Sequence, residues 1–480
     1  TVLAYPPAAL WPLGWGMLVP LFWAVERTDP RRAGLLTYAY SVLRGLLIVR
    51  WLVHALAVEY GVATPAAWAF TALLVAVYAL PPAFAVLVYR YLRPRLGKAA
   101  APLVLGALWA LFEWLRAGPL ALPWVLVAHT QAPVPLGFQL ADLGGSTLVG
   151  FVIVSVNAAL AHAIVSGSLR PLAVAAGLLA FSVGYGTWRL AQLSELETDL
   201  RVGVIQAAVP QAERFQPGSA ERNTARHIAL TRDLLARQPL DLVVWSETAV
   251  DTELDAAPEL VEQLALLARE TGTPLVTGAP RSRDGRRTNS VVLVTPESGL
   301  DDSYDKQRLV PFSEYDPALF GWLAPLLGPV TAGDPYVPGN PRLLLGSTLP
   351  LATPICFEIT YPGLVRELRG RGAELLLNLS NDAWFGRTGY ASMHFLHARF
   401  RAVELRSWVV RAANTGISAV IDPAGRVVDS LPLFAEGTLV AEVAPAGRPA
   451  VYARLGDAPI LLLLGAFVVS AVFASRGLRR

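Results

Sequence analysis

Apolar residues fall in long blocks over the first 190 positions and in short alternating runs afterwards. Blocks of about twenty mostly apolar residues, the length a helix needs to cross a bilayer, cover roughly 9–25, 33–56, 68–89, 100–117, 146–166 and 171–189, and a seventh lies at 457–475. Thr1 stands inside apolar sequence (Leu3, Ala4, Tyr5, Pro6, Pro7), which points to the tail of a truncated eighth span. Lys and Arg gather in alternate connections: Arg27, Arg31 and Arg32; Arg90, Arg93, Arg95 and Lys98; Arg170; then Arg476, Arg479 and Arg480 in the tail. The connections at 57–67 and 118–145 hold none. Because positive loops stay cytoplasmic, the basic connections are expected inside, and residues 190–456 outside between the last two spans. The helix before them delivers that stretch, so no cleavable signal is needed.

Between 200 and 446 the pattern changes period. Strand-like runs are expected at Val202–Val209, Leu242–Trp245, Pro274–Gly278, Ser290–Val294, Leu343–Leu345, Pro354–Phe357, Leu375–Leu379, Val409–Ala413, Ser418–Asp422 and Thr438–Val443. Amphipathic helical stretches are expected at about 218–237, 257–271, 361–371 and 391–406. So many strands fit two packed sheets covered by helices better than one doubly wound sheet. The expected domains are a helical transmembrane bundle over 1–190, an α/β domain over 200–446 and a closing helix over 457–475. No glycine-rich phosphate loop follows a strand, which argues against a nucleotide enzyme.

Composition sharpens this division. Only 16% of residues are charged, against about 25% in soluble domains, so an ordinary soluble enzyme is excluded. The net charge of +3 sits in short loops between apolar runs and reads as membrane topology rather than a nucleic-acid footprint. The single cysteine, Cys356, rules out an intramolecular disulfide, and Lys98 and Lys306 are the only lysines among 40 basic residues. Within the expected spans, Arg50 and His54 share a helical face at i and i+4, and Arg44 points about 120° away. Intramembrane charges are functional candidates, although pairing within the bundle is the plainer reading. Glu113 and Arg116, at i and i+3 near an outer helix end, suit a local ion pair or a lipid head-group contact equally.

Three segments put chemistry at strand ends. Val243-Val244-Trp245-Ser246-Glu247-Thr248 closes a buried strand with a carboxylate, Tyr304-Asp305-Lys306-Gln307-Arg308 holds the outer domain's lysine, and Pro354-Ile355-Cys356-Phe357-Glu358 holds the thiol. A free thiol, with a pKa near 8.5, needs a neighbouring base or cation to become a nucleophile. Glu247 suits that proton, and Lys306 suits the negative charge that develops on oxygen when a carbonyl is attacked. A compact ammonium gives a reason for Lys where Arg dominates elsewhere. Singly, each residue has a plainer reading as a packed cysteine, a cap or a surface charge; their joint occurrence carries the assignment. His394 and His397 stand at i and i+3 on an expected helix. No glutamate accompanies them at metal-ligand spacing and the cysteine already has a role, so no metal and no cofactor is expected.

These segments resemble the signatures of the nitrilase, or carbon–nitrogen hydrolase, superfamily. With the helical N-terminal part and the closing span, the chain is similar to the bacterial apolipoprotein N-acyltransferase family. The resemblance runs through Tyr5-Pro6-Pro7, Glu113-Trp114-Leu115-Arg116, Pro123-Trp124, Leu143-Gly144-Gly145, Val204-Ile205-Gln206, Pro210-Gln211, Trp245-Ser246-Glu247, Leu309-Val310-Pro311-Phe312, the run Asn378 to Gly386 and the run Arg411 to Gly416. It implies a multi-span α-helical membrane bundle plus an α/β nitrilase-like αββα sandwich on the outer, periplasmic side of the bacterial inner membrane. It implies Glu247 as general base, Lys306 as transition-state cation, Cys356 as nucleophile, Glu314 as a carboxylate steadying the lysine and Glu358 as an acid of the site wall. The chain departs from the family pattern at Phe357 (Tyr expected), Ser313 (Gly), Ser246 (Pro) and Phe215 (Trp), which touches substrate contacts rather than acyl chemistry.

The implied reaction moves an acyl chain from a phospholipid donor, through a Cys356 thioester, to the α-amine of an S-diacylglyceryl apolipoprotein acceptor. The expected protein is a membrane-embedded monomer with no nucleic-acid partner. Ala318 to Val330, with Trp322 and Leu323, suits a membrane-dipping lid, with Trp384 and Phe385 extending its apolar rim; an ordinary buried loop is the alternative. The closest competing function is a membrane-tethered amidase that hydrolyses a small amide with the same three residues. A transporter-like scaffold without catalysis is a third, opposed by the retained acid, amine and thiol.

Overall fold

A computed structural model describes residues 2–119, 123–193, 197–214, 216–315, 335–340, 342–344 and 349–477. The chain divides into two compact units. One comprises Thr1–Arg50, Trp68–Ser194 and Ala450–Arg480, and the other Trp51–Ala67 and Glu195–Pro449.

The first unit is helical. Among the described residues, four stretches are long and apolar enough to cross a membrane: Thr64–Arg95, Ala100–Ala117, Ala141–Ser166 and Arg170–Gln192. Pro30–Ile48 followed by Trp51–Glu59 makes a fifth as a broken pair, and Ala458–Phe473 is a shorter apolar helix. The structure corrects two expected spans. Over 9–25 there is a 3₁₀ turn at Trp11–Trp15 and a short helix at Val19–Glu26, because Pro12 and Pro20 cannot donate into a continuous ladder. Asn157 satisfies the irregular backbone between them, accepting from Leu18 N at 2.8 Å and donating to Gly14 O at 2.9 Å, as a non-helical stretch at membrane depth requires. Over 33–56, the helix that Asp29 caps ends at Ile48. It restarts at Trp51 and widens into a π-turn at Ala55–Glu59. Arg50 and His54 are exposed, whereas Arg44 is buried.

Small residues let these helices approach closely. A Cβ at Gly106 would stand 2.0 Å from Ser155 Oγ, so the helices Ala100–Ala117 and Ala141–Ser166 meet almost backbone to backbone there. Ile460 and Leu464 of the last helix bury against Ala107 and Ala110.

The second unit is built on two sheets. Its strands are β1 (Leu200–Gln206), β2 (Leu242–Val244), β3 (Leu275–Arg283), β4 (Arg286–Thr295), β5 (Gly299–Asp305), β6 (Leu351–Ala352), β7 (Leu375–Ser380), β8 (Val409–Ala413), β9 (Ser418–Ile421), β10 (Val427–Leu431) and β11 (Gly437–Val443). One sheet has the order β11-β1-β2-β3-β4-β5 and the other β10-β9-β8-β7-β6. In the first, a parallel centre (β1-β2-β3) carries antiparallel strands on both sides; in the second, parallel β6-β7-β8 forms one side and antiparallel β9 and β10 the other. The two sheets are stitched at one end, where Ser418 Oγ donates to Gln206 Oε1 at 2.5 Å and Asn414 Nδ2 to Val209 O at 2.8 Å. Helices Ser219–Arg237 and Pro258–Thr271 cover the first sheet, with Leu234, Leu264 and Leu267 packed against Trp245, Val243 and Val292. Helix Tyr390–Leu405 lies against β8 and β9, giving the αββα layering.

Two strand expectations differ from the structure. Pro354–Phe357 is not a strand: β6 stops at Ala352 and Cys356–Thr360 is a 3₁₀ turn, because Pro354 cannot continue the ladder. Of Leu343–Leu345, the described part contributes a single bridge from Leu344 to Leu351. β5 and β10 carry acids and exposed valines rather than an apolar alternation, and the period hid them.

Candidate active site

In the parallel centre of an α/β sheet, functional groups gather just past the carboxyl ends of the strands, and here both sheets deliver them. Glu247 follows β2, Lys306 follows β5, Cys356 follows β6, and Ser380 closes β7. Gly278 on β3 makes room for the first: a Cβ there would sit 2.7 Å from both Glu247 Cα and Thr248 N.

The Lys306 ammonium, 1% exposed, is held between two carboxylates, 3.1 Å from Glu247 Oε1 and 2.9 Å from Glu314 Oε1. Asn289 on β4 ties the same pair, its Nδ2 donating to Glu247 Oε1 at 2.9 Å and Glu314 Oε1 at 2.8 Å. Backbone amides take the outer oxygens: Asn381 N donates to Glu247 Oε2 at 2.8 Å and Val310 N to Glu314 Oε2 at 2.7 Å. Burial alone would lower the lysine's pKa, but the charges of Glu247 and Glu314 overcome it and hold the amine firmly cationic. This cation with two anions leaves the cluster one negative charge, and buried charges are tolerable only with such complete hydrogen bonding.

The Cys356 thiol is 7% exposed and lies within the electrostatic reach of Glu247 and Lys306. Burial, and then the Glu247 charge, push its pKa well up, while Lys306 and a hydrogen bond from Ser380 pull the other way. The resting group is therefore a neutral thiol beside a carboxylate. Its backbone is left-handed, at φ +49°, a strained setting for a residue with a Cβ. Two contacts support it: Ser380 Oγ donates to Sγ at 3.4 Å, and His394 Nε2 lies 3.0 Å from the Cys356 carbonyl.

Glu358 is fully buried and braces the lysine loop. It accepts from Gln307 N at 2.6 Å, Arg308 N at 3.0 Å, Ile355 N at 2.7 Å and Tyr304 OH at 2.9 Å. Burial pushes its pKa up to about 7 against those donors. Phe357 packs edge-on against Tyr361, with centroids 5.2 Å apart. Trp384 stacks on Tyr60 at 4.9 Å, and Phe385 stacks on Tyr390 at 3.4 Å. Both aromatic side chains are thus partly buried against ring partners. Phe215, Trp322, Leu323 and the whole segment 318–330 lie outside the described residues.

His394 sits where Cys356 Sγ, an Asp382 oxygen and an imidazole nitrogen come within 4.8 Å of one another, a grouping that the spacing of His394 and His397 did not suggest. Asp382 accepts from Ser380 Oγ at 2.8 Å and Arg411 Nη2 at 2.9 Å, and meets His394 Nδ1 at 3.0 Å. Arg411 also lies 3.1 Å from that nitrogen. Burial and then Arg411 hold the histidine's pKa down. A guanidinium fixed beside the same atoms opposes a metal cation there, and the group works as a hydrogen-bonded floor under the thiol.

Sequence reasoning brought forward Glu247, Lys306, Cys356, Glu314 and Glu358, which the structure gathers. It did not single out Asn289, Ser380, Asp382, His394 or Arg411 as partners of the site. A signal for Asn289 was present: Thr288-Asn289-Ser290 puts three polar residues against the apolar run of β4, and the expected strand began one residue too late to include it.

Two family models match the chain: "Carbon-nitrogen hydrolase" over residues 201–451 and "Apolipoprotein N-acyltransferase N-terminal domain" over residues 1–159. The apolipoprotein N-acyltransferase of Geobacter metallireducens is 32% identical, with 98% of this chain and 92% of that protein covered. That of Pseudomonas putida is also 32% identical, over 99% of this chain and 95% of its own length. Among solved structures, a mutant of the Nesterenkonia AN1 amidase from the nitrilase superfamily is 20% identical, covers 55% of this chain and 97% of its own, and has a TM-score of 0.42. The chain belongs to the apolipoprotein N-acyltransferase family, joining that family's N-terminal domain to a carbon–nitrogen hydrolase domain.

Proposed function

We propose that the chain moves an acyl chain from a membrane phospholipid to the α-amine of an S-diacylglyceryl cysteine at the N-terminus of an apolipoprotein, with Cys356 as nucleophile. In the first step Sγ bonds to the ester carbonyl carbon and Glu247 takes the thiol proton. The ester C–O bond then breaks, and the proton passes to the leaving lysophospholipid oxygen. In the second step the amine attacks the thioester, Glu247 takes one amine proton, and the C–S bond breaks to return a thiol. Lys306 faces the oxygen that turns negative in both steps, and Glu314 and Glu358 hold its loop in place.

One observation carries this reading: a buried ammonium clamped by two carboxylates, with the ammonium and one of those carboxylates, Glu247, also acting electrostatically on the chain's one thiol. The neutral resting thiol agrees with a proton that leaves only as the acyl carbonyl arrives. We also assign 1–190 and 457–475 to the bacterial inner membrane and 200–446 to its outer face, on the distribution of basic loops, with the protein acting as a monomer.

The test is mass spectrometry of the chain in sealed vesicles of phospholipid alone. The expected result is one added acyl mass on the Cys356 peptide, lost in Cys356→Ser. Acylation should also block a membrane-impermeant thiol reagent applied from outside. An unmodified Cys356 would overturn the acyl-enzyme, and labelling only from the inside would overturn the orientation.

A further inference from the structure

The helical unit holds a buried charge cluster that acyl transfer does not use. Glu113 and Arg116, on the helix Ala100–Ala117, pair at 3.3 Å. Val127 N spends the rest of that carboxylate, lying 3.2 Å from each oxygen. The Arg116 guanidinium carbon lies 3.8 Å from the centre of the Tyr78 ring. Arg44, on the helix Pro30–Ile48, has Glu113, Tyr78, Tyr5 and Tyr40 as electrostatic neighbours.

The charges here do not balance. Arg44 and Arg116 are 6% and 2% exposed, and among the described residues Glu113 is the one carboxylate that faces them both. The unit's other buried carboxylates are committed elsewhere, Glu26 to Arg93 at 3.0 Å and Asp142 to Arg189 at 2.7 Å. One positive charge is left over. The donors do not balance either: among the described residues, Arg44 Nε, Arg44 Nη1, Arg116 Nε and the Tyr78 hydroxyl are buried with no hydrogen-bond partner. A buried, unpaired guanidinium is among the costliest things that a fold can keep. Intramembrane charges without a protein partner mark ligand sites.

The position narrows the ligand. Both helices start at basic connections, and Arg44 and Arg116 lie 14 and 16 residues along them, about 21 and 24 Å at 1.5 Å per residue. Against a hydrocarbon core about 30 Å thick, this sets the cluster toward the end remote from the basic loops. The missing partner is a group of one negative charge with several acceptor oxygens, reachable from a bilayer surface.

We propose that Arg44, Arg116 and Tyr78 form a binding site for a phosphate oxyanion of charge near −1, supplied by the phosphodiester of a phospholipid. Arg donors in separate directions suit the oxygens of a tetrahedral phosphate, and Glu113 fixes Arg116 while excluding a second anion. This proposal rests on the bundle lying in a membrane and not on the chemistry at Cys356.

The test uses the full chain carrying Cys356→Ala, so that lipid is not consumed, stripped of lipid in a neutral detergent. Its thermal midpoint is measured after adding phosphatidylglycerol, diacylglycerol with the same tails, or inorganic phosphate, with and without Arg44→Gln. Phosphatidylglycerol should raise the midpoint well beyond diacylglycerol, as mass action requires of a ligand that binds the folded form, and Arg44→Gln should remove most of that increment. With nothing added, Arg44→Gln should melt no lower than its parent, because it deletes an uncompensated cation. Inorganic phosphate giving the same Arg44-dependent increment would support the oxyanion site and make free phosphate its source. Equal increments from both lipids, or an increment untouched by Arg44→Gln, would overturn the site. If Arg44→Gln does not fold, Tyr78→Phe replaces it: the ring stays under Arg116, one donor goes, and a severalfold weaker phosphatidylglycerol response is expected.

Discussion

Lys306 is asked to do what the 38 arginines of this chain cannot. Its point charge fits between Glu247 and Glu314, both within 3.1 Å, and Asn289 closes the same gap from the far side. A planar guanidinium in that slot would push the carboxylates apart and lose the single direction toward the thiol. Lys306→Arg is therefore expected to keep the charge yet lower the rate of acylation by about 10²-fold or more, the scale set by deletion of one oxyanion donor. The check is the single-turnover rate of thioester formation at Cys356; an arginine variant that acylates at the parent rate would remove Lys306 from the oxyanion role. At this scale the sequence was informative because rarity marked the residues: one thiol, and one lysine in the outer domain. The partners stayed hidden because asparagine, serine and arginine are common, and only the pairing of β3 with β4 brings Asn289 opposite Pro280, next to the sheet end where Glu247 lies.

The helix Ser219–Arg237 carries a titratable group in the core of the catalytic unit. His227 is fully buried, bonds Asn223 O through Nδ1 at 2.9 Å and packs on Trp245 with ring centres 5.0 Å apart. Burial drops its pKa from 6.5 to about 4. Above pH 6.5 the ring is neutral in both the folded and unfolded chain. As pH falls from 6.5 toward 4, the unfolded chain takes up a proton that the folded one refuses, so stability is lost by as much as about 3 kcal/mol. His227→Phe removes that titration. The difference in thermal midpoint between parent and variant should favour the parent most near pH 8 and shrink or reverse by pH 5; a pH-independent difference would refute a neutral buried histidine. The element itself was legible, since its apolar stripe predicts a helix over 218–237 and the structure gives Ser219–Arg237. β5 and β10 were not, because Asp301, Asp302 and Asp429 break the two-residue alternation and their pairing comes from neighbouring strands.

On the scale of the whole molecule, the boundary of the catalytic unit does not follow the chain. Trp51–Ala67, which takes in the end of the second apolar block and the connection to the third, belongs with Glu195–Pro449. Trp51 packs against Phe385 at 5.5 Å and Tyr390 at 4.7 Å, Tyr60 stacks on Trp384, and Tyr60 OH meets Ser313 Oγ at 2.9 Å. A Cβ at Gly386 would stand 2.7 Å from His54 Nε2, so that turn is also shaped to this segment. Hydropathy reads Trp51 to Leu56 as the end of a span, since nothing in a local window distinguishes an aromatic that faces lipid from one that packs on a distant turn. The aromatic pairs are each worth about 0.5–1.5 kcal/mol beyond the area they bury, and removing them together uncovers a patch of the size that drives association. The chain 195–449 expressed alone should therefore aggregate or bind a hydrophobic dye strongly. Linking residues 51–67 to its N-terminus should reduce dye binding and raise its melting temperature by several degrees. If 195–449 alone proved monomeric, dye-silent and as stable as the linked form, the segment would be a passive connection and the 200–446 boundary read from composition would suffice.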